Sequence, residues 1–122
     1  MIDLIKRFEG SPEVMEISAG GKVFEEGEPA EKMYVILEGE VRLTLHGQPL
    51  AMEVGGGIIG EMALIESEPR SASARALTDC RLVAIDKADF LDMIRESPEF
   101  AIHIMQVLTR RLRLANEILS AY

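Results

Sequence analysis

Cysteine is almost missing from this chain: Cys80 is the only one in 122 residues. One thiol closes no internal disulfide and excludes a structural zinc site built on cysteines. A lone thiol fits a reducing compartment. Histidine is nearly as scarce, and His46 and His103, far apart in sequence, fall short of the three protein ligands usual at a catalytic zinc. Cations are in deficit too: 13 Lys and Arg face 21 Asp and Glu, a formal net charge of −8. A free-standing nucleic-acid binder carries a basic stripe, so no direct DNA or RNA binding is expected. Long apolar runs are also lacking, and none approaches the roughly 18–20 residues that span a bilayer. The opening MIDLIKRFEG carries Asp3, Lys6, Arg7 and Glu9 where a secretory signal needs an unbroken apolar stretch. The expectation is a cytoplasmic protein without a membrane segment.

What is present suffices for one core. Hydrophobic residues make up 48% and charged residues 28%, a globular composition, and the length suits a single domain over 1–122. Two textures divide it. From about residue 13 to 86, short alternating runs are punctuated by glycine and proline. Val14–Ile17, Lys22–Glu25, Met33–Leu37, Val41–Leu45, Leu50–Val54, Ser73–Leu77 and Arg81–Ile85 read as seven or so strands. Their mostly hairpin-length connections point to an antiparallel sandwich or barrel.

From about 87 to 120 the spacing is helical. Lys87–Arg95 carries Phe90, Leu91 and Ile94 on one side. Ser97-Pro98 then places an N-cap residue before a proline at the first helical position. Beyond it Ile104, Leu108, Leu112, Ala115 and Leu119 recur at steps of three and four, widened by Val107, Leu114 and Ile118. Either this helix docks on its own sheet or it pairs with a second chain. A short N-terminal helix with Ile2, Ile5 and Phe8 on one face is also expected. Arg110, Arg111 and Arg113 near the C-terminal end suit the helix dipole and a solvated face.

The densest segment runs from Val54 to Ala72. Gly55, Gly56, Gly57 and Gly60 let the backbone approach a ligand closely. Glu61–Ile65 are good helix formers, and a helix start offers unpaired N–H groups to a negative oxygen. Arg70 adds a planar fork for two phosphate oxygens. Glu61 would repel a phosphate alone, but a carboxylate accepts well from a hydroxyl. A phosphate beside a ribose 2′-OH satisfies both groups. An ordinary Glu61–Arg70 salt bridge is the bland alternative.

Gly55-x-Gly57-x-x-Gly60-Glu61-Met62-Ala63-Leu64, followed by Pro69-Arg70-Ser71-Ala72, resembles the phosphate-binding cassette of the cyclic-nucleotide-binding domain family. That family includes catabolite activator proteins, regulatory subunits of cAMP-dependent kinase and cyclic-nucleotide-gated channels. Phe24–Ala30 and Met33–Val41 resemble its early strands, so the likeness covers about Val14 to Arg95. The resemblance implies a mostly β fold, a double-stranded β-helix (jelly roll) with C-terminal helices. It implies that Arg70 pairs with the cyclic phosphate and Glu61 accepts from the 2′-OH. Backbone amides at Gly60, Met62, Ala63, Ser71 and Ala72 would complete the cradle. It also implies a C-terminal lid over the base, with Leu108, Arg111 and Leu112 as candidates.

Ile58 and Ile59 depart from the Asp and Phe common in relatives. No helix-turn-helix stands within these residues, which points to a non-catalytic sensor without an output module of its own. The expected ligand is cAMP, with cGMP as the alternative, and the expected partner is a second copy through the C-terminal helix. No cofactor or metal is expected. A ligand-independent dimerisation domain on the same fold is the main competitor. A cupin-type metalloenzyme is the third reading, disfavoured by two histidines without a nearby carboxylate motif.

Overall fold

The alternating segments pair into two four-stranded antiparallel sheets. The computed structural model describes residues 3–120 and divides them into two compact units, Asp3–Ala88 and a second beginning at Asp89. The first unit opens with α1 (Leu4–Phe8), then β1 (Val14–Ile17), β2 (Lys22–Phe24), β3 (Lys32–Glu38) and β4 (Glu40–Leu45). It continues with β5 (Gln48–Val54), β6 (Ile58–Ile59), α2 (Glu61–Glu66), β7 (Ser73–Ala76) and β8 (Cys80–Asp86). One sheet has the order β1-β8-β3-β6, the other β2-β7-β4-β5.

Turn chemistry sets the register. His46 and Gly47 both take positive φ, 52° and 79°, between Leu45 and its partner Gln48. Two left-handed residues in succession match the right-handed twist of a tight hairpin, so β4 folds directly back as β5. Gly39, at φ 103°, sits so close to Cys80 that a Cβ there would lie 2.6 Å from its Sγ. Cys80 is buried and structural, its thiol directed at the carbonyls of Glu40 and Thr78.

The core lies between the sheets. Ile36, Ile59 and Leu82 from one meet Phe24, Val41, Leu43, Ala74 and Ala76 from the other. Met33, Val35, Ile36 and Leu37 are all buried in β3. Burial of neighbouring residues, with Tyr34 alone among them half-buried, fits a central strand covered on both faces, and α1 and α2 lie against it.

Three expectations need correction. Seven or so strands are expected and eight stand among the described residues; the one not foreseen is Ile58–Ile59, a buried two-residue strand against Tyr34 and Val35, too short to show a period. In α1 the buried residue is Leu4, while Ile5 and Phe8 are only half-buried and Ile2 lies outside the described residues. Asp3 sets this helix start by accepting from the Lys6 amide at 3.1 Å.

The third correction concerns the second unit, which holds most of α3 (Lys87–Glu96) and all of α4 (Pro98–Ser120). In α3 the buried residues are Phe90 and Met93, whereas Leu91 is exposed. Phe90 meets Phe100 edge-on, with centroids 5.7 Å apart. In α4, Phe100, Ile104 and Val107 are buried, but the apolar stripe continues into exposed Leu112 and Leu114. The side chains of Ile118 and Leu119 lie outside the described residues.

Candidate nucleotide-binding site

Two charged side chains are buried among the described residues, and they are the two singled out by the cassette: Glu61 at 1% and Arg70 at 5% exposure. Burying charge is expensive unless it is hydrogen-bonded or paired, so their shared placement calls for a physical reason.

The backbone that carries Glu61 is set by Gly60. Gly60 is the N-cap of α2 with φ 77° and ψ 8°, a left-handed conformation that side chains resist. A Cβ at Gly60 would lie 2.5 Å from Arg70 Nη1 and 3.3 Å from the Phe24 ring. Glycine is therefore required both by conformation and by space. As a cap without a side chain, it also leaves the first N–H groups of α2 uncovered by its own atoms. Glu61 stands in the first helical turn, where a carboxylate suits the positive end of the helix dipole.

Arg70 is held from several sides. Its Nη1 donates to the Gly60 carbonyl at 3.2 Å, and its Nη2 donates to the Lys32 carbonyl at 2.6 Å. Its guanidinium carbon lies 4.2 Å from the Phe24 ring centroid and 5.7 Å from that of Tyr34. The Arg70 backbone is locked to the turn after β2: its amide donates to the Glu28 carbonyl, and Gly27 donates to its own carbonyl. Burial lowers the Arg70 pKa from its ordinary value, with Tyr34 and Glu28 opposing the shift. The hydrogen bonds of Arg70 seen among the described residues go to two carbonyls rather than to Glu61.

Arg70 lines a surface depression of about 410 Å³ with Val23, Phe24, Glu28, Pro29, Glu31, Lys32 and Tyr34. Glu61 does not line it; Arg70 meets the cassette instead at the Gly60 carbonyl, one residue from Glu61. Ala63 is buried in α2, Met62 and Ser71 are exposed, and Ala72 is half-buried. Of the lid candidates, Leu108 and Arg111 are half-buried and Leu112 is exposed, all on α4 in the second unit.

Phe24, Tyr34 and the Lys32 carbonyl join Arg70 only in three dimensions. A carbonyl leaves no mark in sequence, and Tyr34 reads there as an ordinary strand aromatic. Among the described residues no three His, Cys, Asp or Glu gather as a metal site, and no helix is long and apolar enough to cross a membrane.

Comparison with known proteins gives this geometry a context. The cyclic AMP receptor protein of Thermus thermophilus is 38% identical over 102 residues, covering 80% of this chain and 47% of that protein. A CRP-like cAMP-activated global transcriptional regulator of Mycobacterium tuberculosis is 32% identical over 106 residues, covering 83% of this chain and 47% of that protein. The chain thus spans about half the length of these curated relatives. The crystal structure of Thermus thermophilus catabolite activator protein superposes with a TM-score of 0.79 at 33% identity, covering 93% of this chain and 61% of that one. The model of the cyclic nucleotide-binding domain matches residues 14–97, which takes in both sheets, Glu61 and Arg70. This chain belongs to the cyclic nucleotide-binding domain family.

Proposed function

We propose that residues 1–122 act as one non-catalytic, cytoplasmic sensor domain that binds a cyclic nucleotide, with cAMP as the first candidate and cGMP as the second. One observation carries the reading. Arg70 is buried with its charge held by carbonyls and ring faces, and no carboxylate among the described residues ion-pairs with it. A cation kept dry in this way gains most from an incoming anion, because little water must be displaced and low dielectric strengthens the attraction.

In this reading Arg70 takes the cyclic phosphate and Glu61 accepts from the ribose 2′-OH. Amides of Gly60, Met62, Ala63, Ser71 and Ala72 contribute to the phosphate cradle, and Ser71 adds its hydroxyl. The two buried groups then serve opposite ends of one ligand, one supplying charge and the other an acceptor. The C-terminal helix reads out occupancy, with Leu108, Arg111 and Leu112 as the lid and a second copy as partner. Ligand shifts that helix only by its differential affinity for the two helix positions. The relatives named as cAMP-responsive favour cAMP.

Titration calorimetry with cAMP and cGMP tests the proposal. Saturable binding of either at a one-to-one ratio is the expected result. A flat trace to millimolar nucleotide defeats it and leaves the second reading, a ligand-independent dimerisation domain. The exposed apolar residues Met105, Leu112 and Leu114 on α4 are the observation that favours that reading.

A further inference from the structure

We propose that Tyr34, together with Phe24, is a positioning residue: the two rings form an aromatic platform that fixes the plane of the Arg70 guanidinium for an incoming phosphate. The inference rests on the cyclic-nucleotide reading of the site and adds a residue to it. The rings of Phe24 and Tyr34 stack with centroids 6.1 Å apart and planes 26° from parallel. Both lie within cation–π range of the Arg70 guanidinium carbon, at 4.2 and 5.7 Å. The rings constrain the broad face of the fork, while the carbonyls of Gly60 and Lys32 constrain it in the plane.

A guanidinium has five N–H donors. Two are engaged by these carbonyls and Tyr34 adds a side-chain hydrogen-bonding contact, so at least two stay available to phosphate oxygens without breaking these bonds. Ring faces and carbonyls attract a cation but carry no net charge. A carboxylate in their place would hold Arg70 equally well and would compete with the ligand. The platform therefore immobilises the cation without a direct ion pair, and Glu28 acts on it only through its field. Tyr34 is the residue to vary. Phe24 belongs to the buried core, whereas Tyr34 is half-buried and borders the same depression as Arg70.

Nucleotide affinity should fall about 5–10-fold in Tyr34→Leu, in keeping with a partly desolvated cation–π contact. Tyr34→Phe, which keeps the ring and loses the hydroxyl, should stay within about twofold of wild type. In an Arg70→Ala background, Tyr34→Leu should cost less than about twofold more, since additivity fails when one residue acts through another. Equal losses in both backgrounds, or a Phe variant as impaired as the Leu variant, overturn the proposal.

A ligand-free measurement separates this inference from the site reading. The Arg70 side-chain N–H resonances should be shifted upfield by the rings in wild type and in Tyr34→Phe, and should move downfield in Tyr34→Leu. Unshifted Arg70 resonances in wild type overturn the platform even if nucleotide binds. Should neither nucleotide bind wild type, the cyclic-nucleotide reading fails, and the resonances still decide whether the platform exists.

Discussion

The cassette and α4 depart from ordinary surface rules in opposite directions. Around the cassette, charges are hidden: Glu61 and Arg70 are almost wholly buried. Along the later part of α4, apolar groups are shown: Leu112 is 62% and Leu114 60% exposed. Charged residues are rarely fully buried unless paired, and exposed large apolar side chains offer area to a partner. A fold optimised for stability alone would have neither. The first departure suits a small polar ligand that brings its own charge. The second suits a protein surface that brings apolar area. The two regions thus anticipate different partners.

The contrast breaks most directly at Arg70. Arg70→Ala should weaken nucleotide binding by about 2–5 kcal/mol, the usual loss when one member of a buried charge pair is truncated. Calorimetry reads this, and near-wild-type affinity would remove the cassette assignment. Glu61→Ala should cost about 1–3 kcal/mol. It should also narrow the preference for ribose over 2′-deoxyribose ligands; an unchanged ratio would take the 2′-OH away from Glu61.

Gly60→Ala acts on the scaffold. It forces a side chain into a φ of 77° and against Arg70 and Phe24, so it should lower stability by more than about 1 kcal/mol and weaken binding as well. Denaturant melts alongside titration would reveal an unaffected protein, which would contradict the crowding argument. On the other side of the contrast, Leu112→Glu should raise the dissociation constant of any self-association about tenfold, near 1.4 kcal/mol, while leaving the melting temperature close to wild type. Sedimentation that detects no dimer in wild type would remove the second copy as the partner of α4.

The smallest effect concerns His103 on α4. Burial, and next the nearby Arg110 cation, hold its pKa below the ordinary value of 6.5. The folded form therefore binds a proton less readily than the unfolded chain. Its contribution to stability is present above pH 6.5 and is lost as pH falls through that value toward the lowered folded pKa. Replacing His103 with Gln should flatten the pH dependence of the melting temperature in that window. An equally steep slope in the variant would show that other groups carry it.

Much of this was legible before any coordinates. Alternation located seven strands because a half-buried strand repeats every two residues. Gly60, Glu61 and Arg70 stood out because a glycine-rich turn, a carboxylate and an arginine in that order resemble the family's phosphate-binding cassette. The failures share a cause. Ile58–Ile59 pair through backbone contacts too brief to imprint a period. The buried faces of α1 and α3 turned out rotated from the predicted ones, because an apolar pattern names a stripe without saying which edge of it meets the core.

The amino-acid order by itself determined the class of fold and picked out the glycine-rich turn and the two charged residues, Glu61 and Arg70, that the structure finds buried. Those are local properties of residue type and spacing. Only the tertiary structure decided that Phe24 and Tyr34, ten positions apart, stack beside Arg70, and that its donors reach a carbonyl at Lys32, thirty-eight residues away. The reason is physical: the value of a ring face or a backbone carbonyl to a cation comes from direction and distance, and here those are set by packing one sheet against the other and by the loop that carries Arg70.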